Sequence, residues 1–403
     1  MSLWSLPTLV LLLLFQPLTA QILVSTITSS FDGSGGLELD SRGNLYIANF
    51  GRDLSNADGT QVWRLDKSGN LNLFAAGLQG ASGNVFDAQG NLYQSNISGG
   101  YISKITPAGI VSTYASQGIS APVGVSIDED NNLYICNCAG NFGNTIRKVS
   151  PNGNTTLFAS GSLFRCPNGI TRDGQGNLYV SNFSNGNVIK VSPNGSVSHF
   201  ATIPGGSNGH IIYSQADNIL YVASHGSSRI YRLSLSGIAT PIAGTGIRGN
   251  TDGPAASASF SRPNGLAITK SGDTLYVNSS VPLTDNPATN ARPLNPSLVR
   301  LLRGLNSPTT PTTAPKWLNA IVLTHYPNPV KSDFQIKLSF PQSHPGKLVL
   351  LNPKGQQVQV IYEGPFQQGI NQFQVSVKDL PAGIYAYIIH LGPHMLSRQI
   401  LIQ

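Results

Sequence analysis

The side chains of this chain that could carry chemistry are carboxamides and histidines at recurring places in the sequence. Six of them lie at or near the ends of predicted strands: Asn49, Asn96, Asn137, Asn182, His225 and Asn278. Four lie where the first strand of a repeated unit begins: Asn168, Asn208, His210 and Asn264. A carboxamide offers two donors and one acceptor. Together these residues would suit a glycan or a protein ligand that presents neutral polar groups.

A structural role is the alternative, because Asn is common in turns, where its side chain bonds to nearby backbone. His210 and His225 are the histidines nearest to these positions, and a pair of histidines is more often structural than catalytic. We find no nucleophile motif, phosphate-binding loop or paired carboxylates in the sequence. It therefore predicts a binding site without catalytic residues, and without a metal or other cofactor.

The three cysteines are Cys136, Cys138 and Cys166. Cys138 follows the second strand of one repeat, and Cys166 precedes the first strand of the next. Both therefore belong to loops at the same face of neighbouring units. We predict a Cys138–Cys166 disulfide, with Cys136–Cys166 as the alternative, because exported proteins form disulfides.

The phrase Gly-Asn-Leu-Tyr, or a variant of it, occurs six times. Its tyrosine recurs every 41–55 residues, at Tyr46, Tyr93, Tyr134, Tyr179, Tyr221 and Tyr276. Each repeat contains short apolar segments separated by Gly, Asn and Pro turns, which predict four strands. Such a period indicates the blades of a β-propeller. We predict an all-β chain with a six-bladed β-propeller over residues 21–305.

The ends of the repeat array predict how the propeller closes. The last repeat lacks a fourth strand, whereas residues 22–27 form an unassigned strand before the first repeat. Pairing this strand with the last blade would close the ring and remove two exposed sheet edges.

The rest of the chain predicts export and a second domain. Residues 1–20 contain a short apolar run followed by small residues, as in a secretory signal peptide. Residues 306–319 are a Pro/Thr linker, and residues 320–403 predict a small β-sandwich. The net charge of +7 comes with only 11% charged residues and no basic run, which excludes a nucleic-acid partner. No later stretch is long enough to be a transmembrane helix.

The segments Asp252-Gly253-Pro254-Ala255 and Arg262-Pro263-Asn264-Gly265 resemble the linker and first strand of NHL-repeat propellers. The Gly-Asn-Leu-Tyr turns are similar to those of NHL propellers and of their gluconolactonase-like relatives. This resemblance implies a propeller fold. It also implies an alternative function, a metal-dependent lactonase-like hydrolase or a lyase acting in the channel, with Ca²⁺ as a possible cofactor.

Only part of the metal site of the gluconolactonase-like family is present. Asn168 and Asn264 match the Asn of the family's Pro-Asn-Gly phrase. The acidic positions differ, since the first blade reads Gly35-Gly36-Leu37 and the second strands end in Asn instead of Asp. Because Ca²⁺ prefers several oxygen ligands that include carboxylates, we favour ligand binding over catalysis.

The tail contains Tyr326-Pro327-Asn328-Pro329, then Asn352-Pro353-Lys354-Gly355, then Leu380-Pro381-Ala382-Gly383. This order resembles the type A sorting domain of the type IX secretion system. The resemblance implies that residues 320–403 interact with that machinery, and that the protein is secreted or attached to the outer cell surface. Because a linker precedes the tail, we expect few contacts with the propeller, whose stability would not depend on the tail.

Overall fold

A computed structural model describes residues 22–138, 145–285, 292–305, 321–352, 357–391 and 394–403. The predicted signal peptide at 1–20 and the linker at 306–319 lie outside the described residues. Within these ranges every regular element is a β-strand. None of the described segments is a helix long and apolar enough to cross a membrane.

The chain begins with β1 Leu23–Phe31, β2 Leu37–Leu39, β3 Leu45–Ala48, β4 Gln61–Leu65, β5 Leu71–Ala76, β6 Ala81–Phe86, β7 Leu92–Asn96, β8 Tyr101–Ile105 and β9 Val111–Ala115. It continues with β10 Pro122–Ile127, β11 Leu133–Asn137, β12 Thr145–Val149, β13 Thr155–Ser160, β14 Pro167–Arg172, β15 Leu178–Asn182, β16 Asn187–Val191 and β17 Val197–Thr202. Next come β18 Ile211–Ser214, β19 Ile219–Ser224, β20 Arg229–Ser234, β21 Ala239–Ala243, β22 Gly253–Pro254, β23 Leu266–Ile268, β24 Thr274–Ser280 and β25 Ser297–Arg303. The tail contains β26 Val322–Tyr326, β27 Asp333–Phe340, β28 His344–Leu351, β29 Gln357–Phe366, β30 Gly369–Ser376, β31 Gly383–Leu391 and β32 His394–Ile402.

The first twenty-five strands form a ring of antiparallel sheets. Blades one to five are β2–β5, β6–β9, β10–β13, β14–β17 and β18–β21, and the sixth sheet of the described residues joins β23, β24, β25 and β1, with β22 at its edge. The first strands of successive blades contact one another in order, and β23 contacts β2. This closed ring is a β-propeller, and with the tail it confirms the predicted all-β fold class.

The recurring Asn-Leu-Tyr phrase builds the hairpin between the first two strands of a blade. In blade four, Asp173 Oδ1 accepts hydrogen bonds from the N–H groups of Gln175 and Asn177, and Asn177 Nδ2 donates to Asp173 Oδ2. The Tyr179 ring then packs edge-on against Phe200 of the fourth strand, with ring centroids 4.8 Å apart. The Asn of this phrase is therefore a turn residue, and the Tyr belongs to the core.

The ring closes through the amino-terminal strand, as the sequence predicts. Strand β1 pairs antiparallel with β25, and Thr26 lies opposite Arg300. Asp252 Oδ2 accepts a hydrogen bond from the Thr26 N–H at 2.8 Å, and Asp252 Oδ1 pairs with the Arg300 guanidinium at 2.6 Å. Arg300 is fully buried and lies over the Phe260 ring at 4.9 Å. One carboxylate thus joins the closing strand to the interior of blade six.

The tail forms two sheets around an apolar core. Strands β26, β27 and β30 form one sheet, and β28, β29, β31 and β32 belong to the other. Five buried aromatic side chains belong to this core: Phe334, Phe340, Phe366, Tyr385 and Tyr387.

The tail also packs on the propeller, contrary to our expectation of few contacts. Its second sheet continues blade five through a bridge between Ala239 of β21 and Met395 of β32. The buried side chains of Val349, Leu351 and Ile388 share an apolar cluster with blades four and five. The physical reason is that the outer strand of a blade presents unpaired backbone groups and an apolar rim, which another strand can cover.

We therefore expect that deleting residues 316–403 lowers the melting temperature of the propeller by roughly 5 °C, measured by circular dichroism. Each 100 Å² of apolar surface that the deletion exposes costs about 2.5 kcal/mol. Proteolytic cleavage of an inserted site within the linker is the control, because the cleaved tail can stay docked and should lower the melting temperature less. An unchanged melting temperature after deletion would show instead that the tail is energetically independent.

Candidate functional site

The first strands of neighbouring blades meet at one level of the central channel. In each blade, one residue at the start of the first strand lies at this level, opposite the second-to-last residue of the second strand or the residue equivalent to it. This residue is glycine in five blades and histidine in blade five: Gly36, Gly83, Gly124, Gly169, His210 and Gly265. A Cβ atom on each glycine would come within 2.8 Å of a backbone atom of the following blade. Glycine is required there by this close approach.

The His210 side chain is the exception in this ring. Its Cε1 atom lies 3.1 Å from where a Cβ on Gly36 would be, so the imidazole reaches from blade five to blade one. Its Nε2 atom is buried without a hydrogen-bond partner among the described residues. Burial lowers the pKa of His210 to about 4, and the ring is neutral at physiological pH. His210 therefore lies at the level of the glycine ring and outside the lining of the cavity described next.

A cavity of about 810 Å³ lies at the end of the channel where the first strands begin, which we call the top face. Four residues of its lining directly precede glycines of the ring: Ser82, Val123, Asn168 and Asn264. Asn168 Nδ2 donates to the carbonyl of Asn208 at 3.0 Å, and Asn264 Nδ2 donates to the carbonyl of Ser34 at 2.8 Å. Each amide thereby bridges to the next blade, and its Oδ1 atom is left as an acceptor for a ligand.

The cavity wall is largely apolar. The residue that follows the strand-end position lines the cavity in five blades: Phe50, Ile97, Cys138, Phe183 and His225. Leu54 and Leu294 add apolar surface, and Ser207 adds a hydroxyl. The rings of Phe183 and His225 lie 5.5 Å apart. Ser207 Oγ and His225 Nδ1 are buried without hydrogen-bond partners among the described residues.

The strand-end residues Asn96, Asn137 and Asn182 lie outside this lining, and their side chains bond to loop backbone. Asn96 Oδ1 accepts the N–H of Gln79, Asn137 Nδ2 donates to Gly118, and Asn182 Nδ2 donates to Leu163. These partners belong to the loop that precedes the first strand of the same blade. The strand-end amides therefore position the top-face loops, as the structural interpretation holds.

Three further predicted residues also lie outside the cavity lining. Asn49 Oδ1 accepts from Asn295 Nδ2 at 3.1 Å. Asn208 is fully buried, and its Oδ1 atom has no partner among the described residues. Asn278 Nδ2 donates to the carbonyls of Gly33 and Gly35, both at 2.7 Å, and so joins blade six to blade one.

Cys138 and Cys166 form a disulfide with their Cα atoms 4.4 Å apart, and both line the cavity wall. Cys136 is a buried free thiol whose Sγ atom lies 3.9 Å from the carbonyl of Gly169 in the next blade. Serine occupies the equivalent position in blades two and four, where Ser95 and Ser181 donate to the following blade at 2.6 and 2.7 Å. The third cysteine thus joins neighbouring blades.

The electrostatics of the cavity are cationic. Arg292 lines it, and no Asp or Glu does so among the described residues. Nearby, Asp285 is shared by the guanidinium groups of Arg248 and Arg262, which leaves an excess of positive charge. Burial lowers the pKa of His225 to about 3, and the neighbouring guanidinium groups act in the same direction. His225 is therefore a neutral imidazole at physiological pH.

The residues present do not fit a divalent cation. The amide Oδ1 atoms of Asn168 and Asn264 are suitable ligands, but a guanidinium lines the same cavity and no carboxylate does among the described residues. Nor do the described residues contain a group of three or more His, Cys, Asp or Glu side chains that could hold a metal ion. Ca²⁺ prefers carboxylate-containing sites, so we derive no chemical step through a metal.

Two protein families match the sequence. Residues 53–273 match the family described as the virginiamycin B lyase family. Residues 324–403 match the secretion system C-terminal sorting domain. The second match indicates secretion with cell-surface attachment, through interaction with the type IX machinery. No curated protein sequence matches the chain significantly.

Several solved structures are similar. A protein of unknown function from Bacteroides thetaiotaomicron is 14% identical and has a TM-score of 0.54, with 70% of this chain and 76% of that chain covered. A gluconolactonase from Xanthomonas campestris is 13% identical with a TM-score of 0.52, over 71% of this chain and 92% of that one. Virginiamycin B lyase from Staphylococcus aureus is 15% identical with a TM-score of 0.48, over 70% and 99%. The first two, with TM-scores above 0.5, show that the propeller fold is shared with solved structures.

Proposed function

This chain belongs to the virginiamycin B lyase family, and from that premise we propose that it is an exported binding protein whose ligand enters the top-face cavity. The observation that carries the proposal is the cavity itself. Its volume of about 810 Å³ lies in the range of small-molecule sites, about 300–1,000 Å³. A glycan unit or a peptide segment of a protein ligand can also enter a space of this size.

The lining supports binding because it combines apolar walls with a few oriented polar groups. Phe50 and Phe183 supply aromatic surface, and the Oδ1 atoms of Asn168 and Asn264 supply acceptors on the floor. Both amides are fixed by hydrogen bonds to the neighbouring blade, so their orientation costs little entropy when a ligand binds. We propose that binding needs no metal or other cofactor.

Ile97→Trp is expected to weaken binding, because the larger side chain takes up part of the cavity, whose wall Ile97 forms. Ligands would be found by screening glycan and peptide arrays with the wild-type propeller, and the affinity of each hit would then be compared in the variant by calorimetry. Ile110→Trp is the matched control, since Ile110 is 66% exposed and outside the cavity lining. Hits that bind the Ile97 variant as well as the wild type would place the binding site elsewhere.

A lyase or a lactonase-like hydrolase is the second candidate, favoured by the family membership and by the place of His225 in the cavity wall. In this chain the neutral His225 imidazole would be the base. Incubation with virginiamycin B and with gluconolactone, followed by mass spectrometry, tests this candidate. Ring opening that His225→Gln abolishes would establish an enzyme, and unchanged substrates would support binding alone.

We also propose that the repeats are of the NHL type, which the segments around Asp252 and Arg262 support. The sorting domain supports a protein that is either released into the medium or retained at the outer cell surface. Fractionation of a host that carries the secretion machinery distinguishes these locations.

A further inference from the structure

We infer that the ligand of the top-face cavity is an amphipathic anion, an aromatic or aliphatic body that carries one carboxylate, sulfonate or phosphate group. This inference rests on the proposed function and specifies the chemical class that the cavity takes. Three features carry it: an unpaired guanidinium, a wall with no described acidic residue, and apolar surface on more than one side.

Arg292 is the charged residue of the lining. Its backbone is attached to a loop of blade one. The Arg292 carbonyl accepts the N–H of Leu54 at 3.2 Å, and the N–H of Leu294, two residues further on, donates to the carbonyl of Arg52. The side chain is exposed and forms no ion pair with a described residue. A guanidinium without an ion pair is a group that can bind oxyanions in two-point geometry.

Among the described residues, no acidic side chain of the cavity wall competes with a ligand anion. No Asp or Glu belongs to the described lining, and none occurs in residues 139–144 or 286–291, which adjoin Cys138 and Arg292 in the sequence. Two carboxylates near this wall already have partners: Asp285 is shared by two arginines, and the buried Asp53 beside Leu54 accepts hydrogen bonds from Ser55 and Asn56. A cationic ligand would meet Arg292 without a counter-charge, so the site discriminates by repulsion as well as attraction.

The body of the ligand must be apolar on its faces. Phe50, Ile97, Phe183 and Leu294 provide that surface, and aromatic walls favour a flat or ring-shaped group. The amides of Asn168 and Asn264 in the same lining add places for hydroxyl or amide N–H groups of the ligand. A fully hydrated sugar would leave most of this apolar wall unused.

The test uses two fluorescent probes with the same rings. One is 8-anilinonaphthalene-1-sulfonate, a monoanion, and the other is N-phenyl-1-naphthylamine, which lacks the sulfonate. We expect the anion to bind the folded full-length protein about tenfold more tightly than the neutral probe, because a hydrogen bond to a charged group contributes that much. Arg292→Gln should remove this difference, and Arg292→Lys should retain most of it.

Arg42→Gln is the matched control, because Arg42 is an exposed arginine in the turn at the other end of blade one. It should leave both affinities unchanged, and higher salt should weaken only the anion. Equal affinities for the two probes, or an Arg292→Gln variant that keeps the preference, would overturn the anionic class. If Ile97→Trp lowers the affinity for both probes, cavity binding itself survives that result. If Ile97→Trp changes neither affinity, the proposed function fails together with this inference.

Discussion

A chain that starts after residue 31 is expected to lose cooperative folding and to aggregate. Strand β1 pairs along the length of β25, and its removal exposes that edge and leaves the Asp252 carboxylate without its Thr26 partner. Arg300 would remain buried beside a weakened ion pair. The loss should approach the total stability of a domain, about 5–15 kcal/mol, measured as the disappearance of the melting transition.

Rescue by a peptide makes this expectation specific to the closing strand. A synthetic peptide of residues 22–31 should restore solubility and a melting transition, because the edge that it covers is preformed. The same peptide with Thr26→Pro should fail, since proline has no N–H to donate to Asp252 and interrupts the ladder. A truncated protein that melts like the full chain, with or without the peptide, would show that blade six is complete without β1.

The double variant Cys138→Ser, Cys166→Ser is expected to lose about 3–4 kcal/mol of unfolding free energy in urea, from the chain-entropy estimate for this loop. The disulfide closes a separation of 28 residues between the top-face loops of blades three and four. Because both cysteines line the cavity, the variant should also bind the anionic probe more weakly. Peptide mapping of unreduced protein would identify the linked pair directly.

Cys136→Ser is the matched control for the disulfide variant. It keeps the Cys138–Cys166 bond and places at that position the residue found in blades two and four, so it should change the unfolding free energy by less than about 1 kcal/mol. A loss in Cys136→Ser as large as that in the double variant would contradict both assignments, because each variant would then have removed the same bridge. It would favour the Cys136–Cys166 alternative that the sequence left open.

The sequence determined the strands, their order and the closure of the ring. The same turn residues recur between the strands of each repeat. Asp173 and Asn177, for example, form a hairpin through hydrogen bonds within the turn itself. The sequence has an unassigned strand before the first repeat and lacks a fourth strand in the last repeat. Pairing that first strand with the last blade accounts for both, because an open ring leaves two unpaired edges. These inferences need only local chemistry and the counting of strands.

Tertiary structure alone decided which side chains reach the cavity. The sequence singled out Asn49, Asn96 and Asn182, but the neighbouring Phe50, Ile97 and Phe183 form the wall. Successive side chains of a strand face opposite directions. A prediction that is wrong by one residue therefore selects a side chain that contacts a loop instead of one that lines the cavity. The sequence shows that side chains alternate between the two sides of a strand. Which of the two sets faces the cavity depends on how the top-face loops fold back over each blade.

The roles of Arg292, His210 and the tail were likewise set by contacts between residues far apart in the chain. Arg292 is placed by hydrogen bonds to blade one, and His210 fills the channel because the other five blades have glycine at that level. The tail docks because the outer edge of blade five and β32 are complementary. Local sequence determines strands and turns through nearby backbone hydrogen bonds, whereas a site at the axis of a ring depends on the meeting of all blades.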